Sequence, residues 1–256
     1  MHSRPWLWPN LLSLDAPIVA LLWQLLFVRC FHGSLGMLPA ALLAVAMWLI
    51  YVADRTLDAW RGHVEQARHK FYRRHWRAVL PIWIVALGTA GWMAWSRLPG
   101  PLFMEGVAVA SGTGLYLAAV HLSPRLLRHA NSKESAIAVL FGLGASLAAW
   151  PGVQTVSDVL AILLFSCLCW MNCAAIEDWE HGHELRPSVI AAAGLVAVIA
   201  AFFLREHRPI LGGAETAGAL GLVLLDRLQR RCSPEALRVL ADVVLLTPVV
   251  FLPIVT

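Results

Sequence analysis

Nine apolar runs follow one another along this chain, near residues 15–32, 36–53, 78–96, 101–121, 135–151, 156–175, 187–204, 209–226 and 236–255. Runs of about 17 to 22 residues are long enough to cross a hydrocarbon core of roughly 30 Å. Inside a bilayer every backbone N–H and C=O needs an internal partner, so such runs read as helices. Composition excludes the soluble alternative. Charged residues are 14% of the chain, hydrophobic residues are 59%, and mean hydropathy is +0.67; a soluble domain carries about 25% charged residues. The expectation is a single polytopic all-α membrane domain over residues 1–256 with nine transmembrane helices. MHSRPWLWPN lacks the short apolar region and small-residue site of a cleavable signal. The eighth run is the weakest, because it holds Glu215 and a Gly-Gly pair.

Basic residues orient the bundle. With nine spans, 16 of the 20 Lys and Arg residues fall on one side and four (Arg29, Arg97, Arg205 and Arg208) on the other. That places the N-terminus and the loops 54–77 and 176–186 in the cytoplasm, in what reads as a bacterial inner membrane. The five cysteines lie mostly in or beside apolar runs and read as buried, inert thiols. No nucleic-acid partner is expected, and the oligomeric state is open.

Two acidic clusters stand where apolar runs end. Asp54-Arg55-Thr56-Leu57-Asp58 follows the second run and Glu177-Asp178-Trp179-Glu180 the sixth. Asp54 and Asp58 are spaced i, i+4, which puts both carboxylates on one helix face about 6 Å apart. Mg²⁺ takes one or two carboxylates and completes its shell with water and phosphate oxygens. Asp54, Asp58, Glu177 and Asp178 are therefore the candidate metal ligands. The plainer alternative is a pair of solvated helix ends paired with Arg55 or Arg61. The clusters are four helices apart, which suits duplicated halves with a site at the repeat interface. Two four-helix halves plus one helix would bring both clusters to one mouth.

Other groups belong to the same reading. Asn172, Glu180 and Glu184 crowd the second cluster. Lys133, Arg125 and Arg128 before the fifth helix could serve as point charges for phosphate, and Arg68 belongs to a basic loop that could cover an anionic headgroup. Positive-inside charge accounts for the same residues without a ligand. Glu134 suits the dipole at the start of the fifth helix. His181-Gly182-His183 reads more readily as a loop than as a metal site. Asp242, placed at the start of the ninth helix, could reach the mouth, and Glu215 is expected to meet Arg205 or Arg208.

These residues carry a resemblance. LLSLDAPIVALLW is similar to the opening of the UbiA superfamily of intramembrane prenyltransferases, WLIYVADRTLD resembles its first Asp-rich motif, MNCAAIEDWEHG its second, and SKESAIAVLFGLG its fifth-helix start. The likeness extends over most of the chain. It implies a UbiA-like bundle that binds an isoprenyl diphosphate through Mg²⁺ and transfers the prenyl group to a lipophilic, often aromatic, acceptor. Carried over, Asp54, Asp58 and Asp178 would be the catalytic residues. The leading positions of the first motif fall on Ile50 and Tyr51, which cannot act as ligands, and the second motif fits in no single register. A noncatalytic relative that binds a lipid phosphate or a partner is the alternative expectation.

Overall fold

The computed structural model describes residues 8–60, 67–122 and 132–255, apart from the side chains of residues 67–69 and 132. Among them the chain is helical throughout: α1 (Trp8–Leu11), α2 (Asp15–Cys30), α3 (Met37–Trp60), α4 (Ala67–Arg97), α5 (Gly100–Leu122), α6 (Ser132–Ser146), α7 (Val156–Glu180), α8 (Pro187–Ile199), α9 (Pro209–Asp226), α10 (Pro234–Val244) and α11 (Pro248–Phe251). Among the described residues, eight helical stretches are long and apolar enough to cross a membrane. The chain is a multi-pass integral membrane protein. The expected first span, α2, has 16 residues and so reaches about 24 Å. The run containing Glu215 forms α9 in full. The last span is broken: α10 gives way to a turn at residues 245–247, α11 and a short 3₁₀ stretch.

The chain divides into two compact units. The first holds residues 1–21 and 36–124, and the second holds residues 22–35 and 125–256. Three of the eight candidate spans lie in the first unit and five in the second.

In the first unit α3 packs along α4 and also meets α5. Indole N–H groups tie the elements together. Trp83 donates to the Leu49 carbonyl at 2.8 Å, and Trp48 donates to the Leu12 carbonyl at 3.1 Å. Ile82, Ile84, Val85, Trp92 and Trp95 of α4 are exposed, as suits residues that meet lipid tails and interfaces.

The second unit is built around α7. Helices α6, α8, α9 and α10 all pack against it. Trp23 of α2 stacks on Phe165 of α7, with ring centroids 4.3 Å apart, and donates its indole N–H to the Leu245 carbonyl at 2.9 Å. Small residues permit close approach. A methyl group on Gly142 of α6 would collide with Ser166, and one on Gly218 of α9 would come within 2.9 Å of Leu168.

The start of α7 is sealed by a capping box. Thr155 accepts from the Asp158 amide, and Asp158 returns a bond to the Thr155 amide at 2.8 Å. This satisfies amides that a helix start leaves unpaired. Asp158 is wholly buried and also accepts from the Gln154 amide at 2.9 Å and from Nε of Arg208 at 2.6 Å. The Arg208 guanidinium lies over the Phe31 ring, 5.4 Å from its centroid. Arg208 is therefore engaged by Asp158, not by Glu215 as the sequence suggested. Glu215 is fully buried, and neither carboxyl oxygen has a hydrogen-bond partner among the described residues.

Asp158→Ala should cost about 3 kcal/mol, because it strands a partly buried guanidinium and two backbone amides. Ser157→Ala, one residue away and half-buried, loses only a long hydrogen bond of 3.4 Å to the Phe203 carbonyl and should change stability by less than about 1 kcal/mol. Unfolding of both variants in detergent, followed by loss of helical signal, checks this; equal stability would contradict the assigned role.

Candidate functional site

The sequence-predicted residues fall into two groups, one in each unit. In the first unit the C-terminal half of α3 carries a buried stripe, Val52, Arg55 and Ala59, with Asp54 and Asp58 on the adjoining, half-buried face. The i, i+4 pair thus lies on one helix as expected. Arg55, however, is not its counter-ion. It is 4% exposed and turns to the N-terminal segment, donating to Ser13 Oγ at 2.9 Å, to Asp15 Oδ2 at 3.2 Å and to the Asn10 carbonyl. Tyr72 of α4 closes the group through Ser13, with 2.8 Å between the two hydroxyl oxygens. A guanidinium spreads its donors over a planar fork, so Arg55 reaches acceptors from two nitrogens, whereas the three donors of a Lys radiate from one.

Asp54 instead meets His121, near the end of α5, with 3.2 Å between Oδ1 and Nε2. His121 is buried, and its Nδ1 has no hydrogen-bond partner among the described residues. The sequence reading does not single out this histidine. The available signal was an imidazole at the end of an apolar run. No ion pair involves Asp58 among the described residues.

In the second unit the acidic residues sit in the last turns of α7. The helix then closes on Gly182, whose φ of 73° is left-handed. The His183 amide donates to the Asp178 carbonyl at 2.9 Å and the Gly182 amide to the Trp179 carbonyl at 3.1 Å. This is the six-to-one and five-to-two pairing that glycine favours at a helix end. The His-Gly-His segment is thus a turn, with its two imidazole rings 6.3 Å apart.

The turn brings Arg186 back onto the helix. Its guanidinium reaches Asp178 through Nη2 at 2.8 Å and through Nε at 3.0 Å, and it reaches Glu177 at 3.0 Å. Its backbone amide also donates to Asp178 at 3.0 Å. The hydrogen-bonded Asp178 carboxylate, helped by Glu177, pushes the Arg186 pKa above its ordinary value. Arg186 therefore stays charged at any pH the fold survives. Glu180 pairs with the buried Arg238 of α10. Asp226, at the end of α9, accepts from the Trp179 indole at 2.9 Å and from the Leu185 amide at 3.1 Å.

Asn172 is buried on α7, and its Nδ2 lies 3.4 Å from Asp242 Oδ1. Asp242 is near the end of α10, not at the start of its helix as the sequence suggested. Glu134, in the first turn of α6, lies close to Glu177. Lys133 is exposed beside it. Arg125 and Arg128 lie outside the described residues, as does the Arg68 side chain.

Neither cluster forms a ready metal site. No group of three His, Cys, Asp or Glu side chains able to hold a metal ion occurs among the described residues. Asp54 is engaged by His121, and Asp178 by a guanidinium that fills the space an ion would need. The donors as arranged do not fit a resident Mg²⁺. Compared with known proteins, the chain matches no family model, no curated protein and no solved structure.

Arg55→Ala should destabilise the protein by about 3 kcal/mol, since Asp15 is left half-buried without its cation. Arg55→Lys should recover less than half of that loss. Thermal unfolding in detergent measures both, and full recovery by Lys would show that only the charge matters.

Proposed function

We propose that this protein is an intramembrane prenyltransferase that takes an isoprenyl diphosphate and passes its prenyl group to a lipophilic acceptor, aromatic rings among the candidates. The observation that carries this reading is the matched placement of carboxylates. Asp54 and Asp58 occupy the last two turns of α3, and Glu177 and Asp178 the last turn of α7, each at the end of a long apolar helix. Carboxylates so close to apolar spans are costly and mark ligand sites more often than structure. The motifs around them are those that resemble the UbiA superfamily. In this reading Lys133, Arg68, Arg125, Arg128, Asn172 and Glu180 belong to the substrate end of the site. Mg²⁺ would come as a companion of the diphosphate. In this reading the helix ends face the cytoplasm, which the excess of arginines on the loops supports.

A second reading is retention of a lipid phosphate without transfer. The engagement of Asp178 by Arg186 favours it, as does the lack of a three-ligand metal group among the described residues.

One experiment separates the two. The purified full chain is incubated with labelled prenyl diphosphates and a lipid extract, with and without Mg²⁺, beside an Asp58→Asn variant. Prenyl transfer that requires Mg²⁺ and falls at least about 100-fold in the variant (~2.7 kcal/mol) supports the enzyme. Mg²⁺-dependent thermal stabilisation lost in Asp58→Asn, with no transfer by either protein, supports the second reading. Absence of both effects sinks the diphosphate assignment.

A further inference from the structure

The first turns of α4 gather positive charge on one face. Lys70, Arg73, Arg74 and Arg77 stand at i, i+3, i+4 and i+7, which places them within about 100° of the helix circumference. All four are exposed, and none joins an ion pair or a hydrogen bond with a described residue. The Arg77 guanidinium rests on the Trp76 ring, 5.7 Å from its centroid. Such an array is costly when bare. Like charges three and four residues apart weaken a helix, and Lys70, close to the helix start, also opposes the positive end of the dipole. Anions laid along the face would relieve both costs.

The rest of the helix sets the depth of this face. Trp76 and Trp95 bracket the apolar part of α4 and lie about 28 Å apart along the axis, close to the thickness of a hydrocarbon core. Tryptophans favour the two interfaces. Arg77 therefore stands at the edge of the core, and Lys70 stands about 10 Å beyond it, among the headgroups. Below the cations the same face turns apolar. Ile84, Gly88 and Gly91 follow Arg77 at helical spacing, all exposed, and the two glycines have open space where a side chain would stand. The face thus carries charge at headgroup depth and an open apolar strip at tail depth, matching the two halves of a phospholipid. Positive-inside orientation requires a number of cations, not their alignment above such a strip. A second copy of the chain, packed on this face about a two-fold axis along the membrane normal, would set the cations against one another.

We propose that this face of α4 binds an anionic phospholipid of the surrounding leaflet, with the phosphate held by Lys70, Arg73, Arg74 and Arg77 and an acyl chain lying along Ile84, Gly88 and Gly91. Guanidinium forks suit phosphate oxygens, and each cation near an anionic lipid adds about fivefold to the affinity. The inference does not rest on the diphosphate reading, because it uses none of the residues assigned to that site.

The test uses the full chain in a neutral detergent and four probes: phosphatidylglycerol, phosphatidylcholine with the same acyl chains, the matching diacylglycerol, and glycerol phosphate. Phosphatidylglycerol is expected to raise the melting temperature to a saturating plateau, as a ligand of the native state does. The other three lack the net charge, the phosphate or the tail, and should shift it little at the same concentration. Arg73→Gln and Arg77→Gln should each raise the half-saturating phosphatidylglycerol concentration about fivefold. Both side chains are exposed, so the helical signal should be kept. Arg73→Gln combined with His75→Arg keeps the number of cations but moves one to the opposite side of the helix. It should lose as much affinity as Arg73→Gln alone. Full affinity in that double variant would overturn the proposal in favour of general charge attraction. An equal shift from phosphatidylcholine or diacylglycerol would overturn it in favour of unselective lipid binding, and one from glycerol phosphate in favour of a free-phosphate site. A dimer that Gly91→Leu dissociates, with phosphatidylglycerol inert, would give the face to a second copy of the chain.

Discussion

The second unit depends on one helix whose two ends are each secured by an aspartate–arginine pair. At the start of α7, Asp158 holds Arg208 from the chain leading into α9; at its end, Asp178 holds Arg186 from the chain leading into α8. Between them lies a largely buried apolar shaft on which α6, α8, α9 and α10 pack. In lipid the tails are as apolar as leucine, so packing and hydrogen bonds must fix what hydrophobicity cannot. Close approach at Gly142 and Gly218 supplies the packing, and the two pairs fix the loops that enter and leave the neighbouring helices.

The first unit uses the same device with a different chemistry. A single buried arginine, Arg55, gathers the N-terminal segment onto α3. Because Arg55 sits between Asp54 and Asp58 in sequence, the motif divides its labour by helical face. The arginine side holds the fold, and the aspartate side is left for other work. The buried arginine and the two half-exposed carboxylates are consequences of one 3.6-residue repeat.

Much of the fold was readable from residue order because the bilayer demands long apolar helices. Eight of the expected spans correspond to helices long enough to cross, and even the Glu215 run forms its helix intact. The i, i+4 relation of Asp54 and Asp58 was readable for the same reason. The partners were not. Arg55 and Asp15 are 40 residues apart, Arg208 and Asp158 are 50 apart, and Asp54 and His121 are 67 apart. Nothing in local spacing selects those pairings. The glycine at 182 was visible, but what its turn delivers, a guanidinium placed on the helix it has just left, depends on a three-dimensional return. Glu215 shows the limit from the other side: its burial was legible as a cost, and its lack of a hydrogen-bond partner among the described residues was not.

That turn gives the loop after α7 an unusual constraint. From the Gly182 reversal to Arg186, the chain has just enough residues to set the guanidinium against Asp178, while the Leu185 amide reaches Asp226 on the way. Both bonds are counted from fixed points on different helices. The segment therefore acts as a strap of set length. Its side chains at 183 and 184 are exposed and make only surface contacts, to His181 and Arg230, but one residue more or fewer would misplace both attachments. Evolution of this protein should then tolerate replacement in the loop far more readily than insertion or deletion, the reverse of what surface loops ordinarily permit.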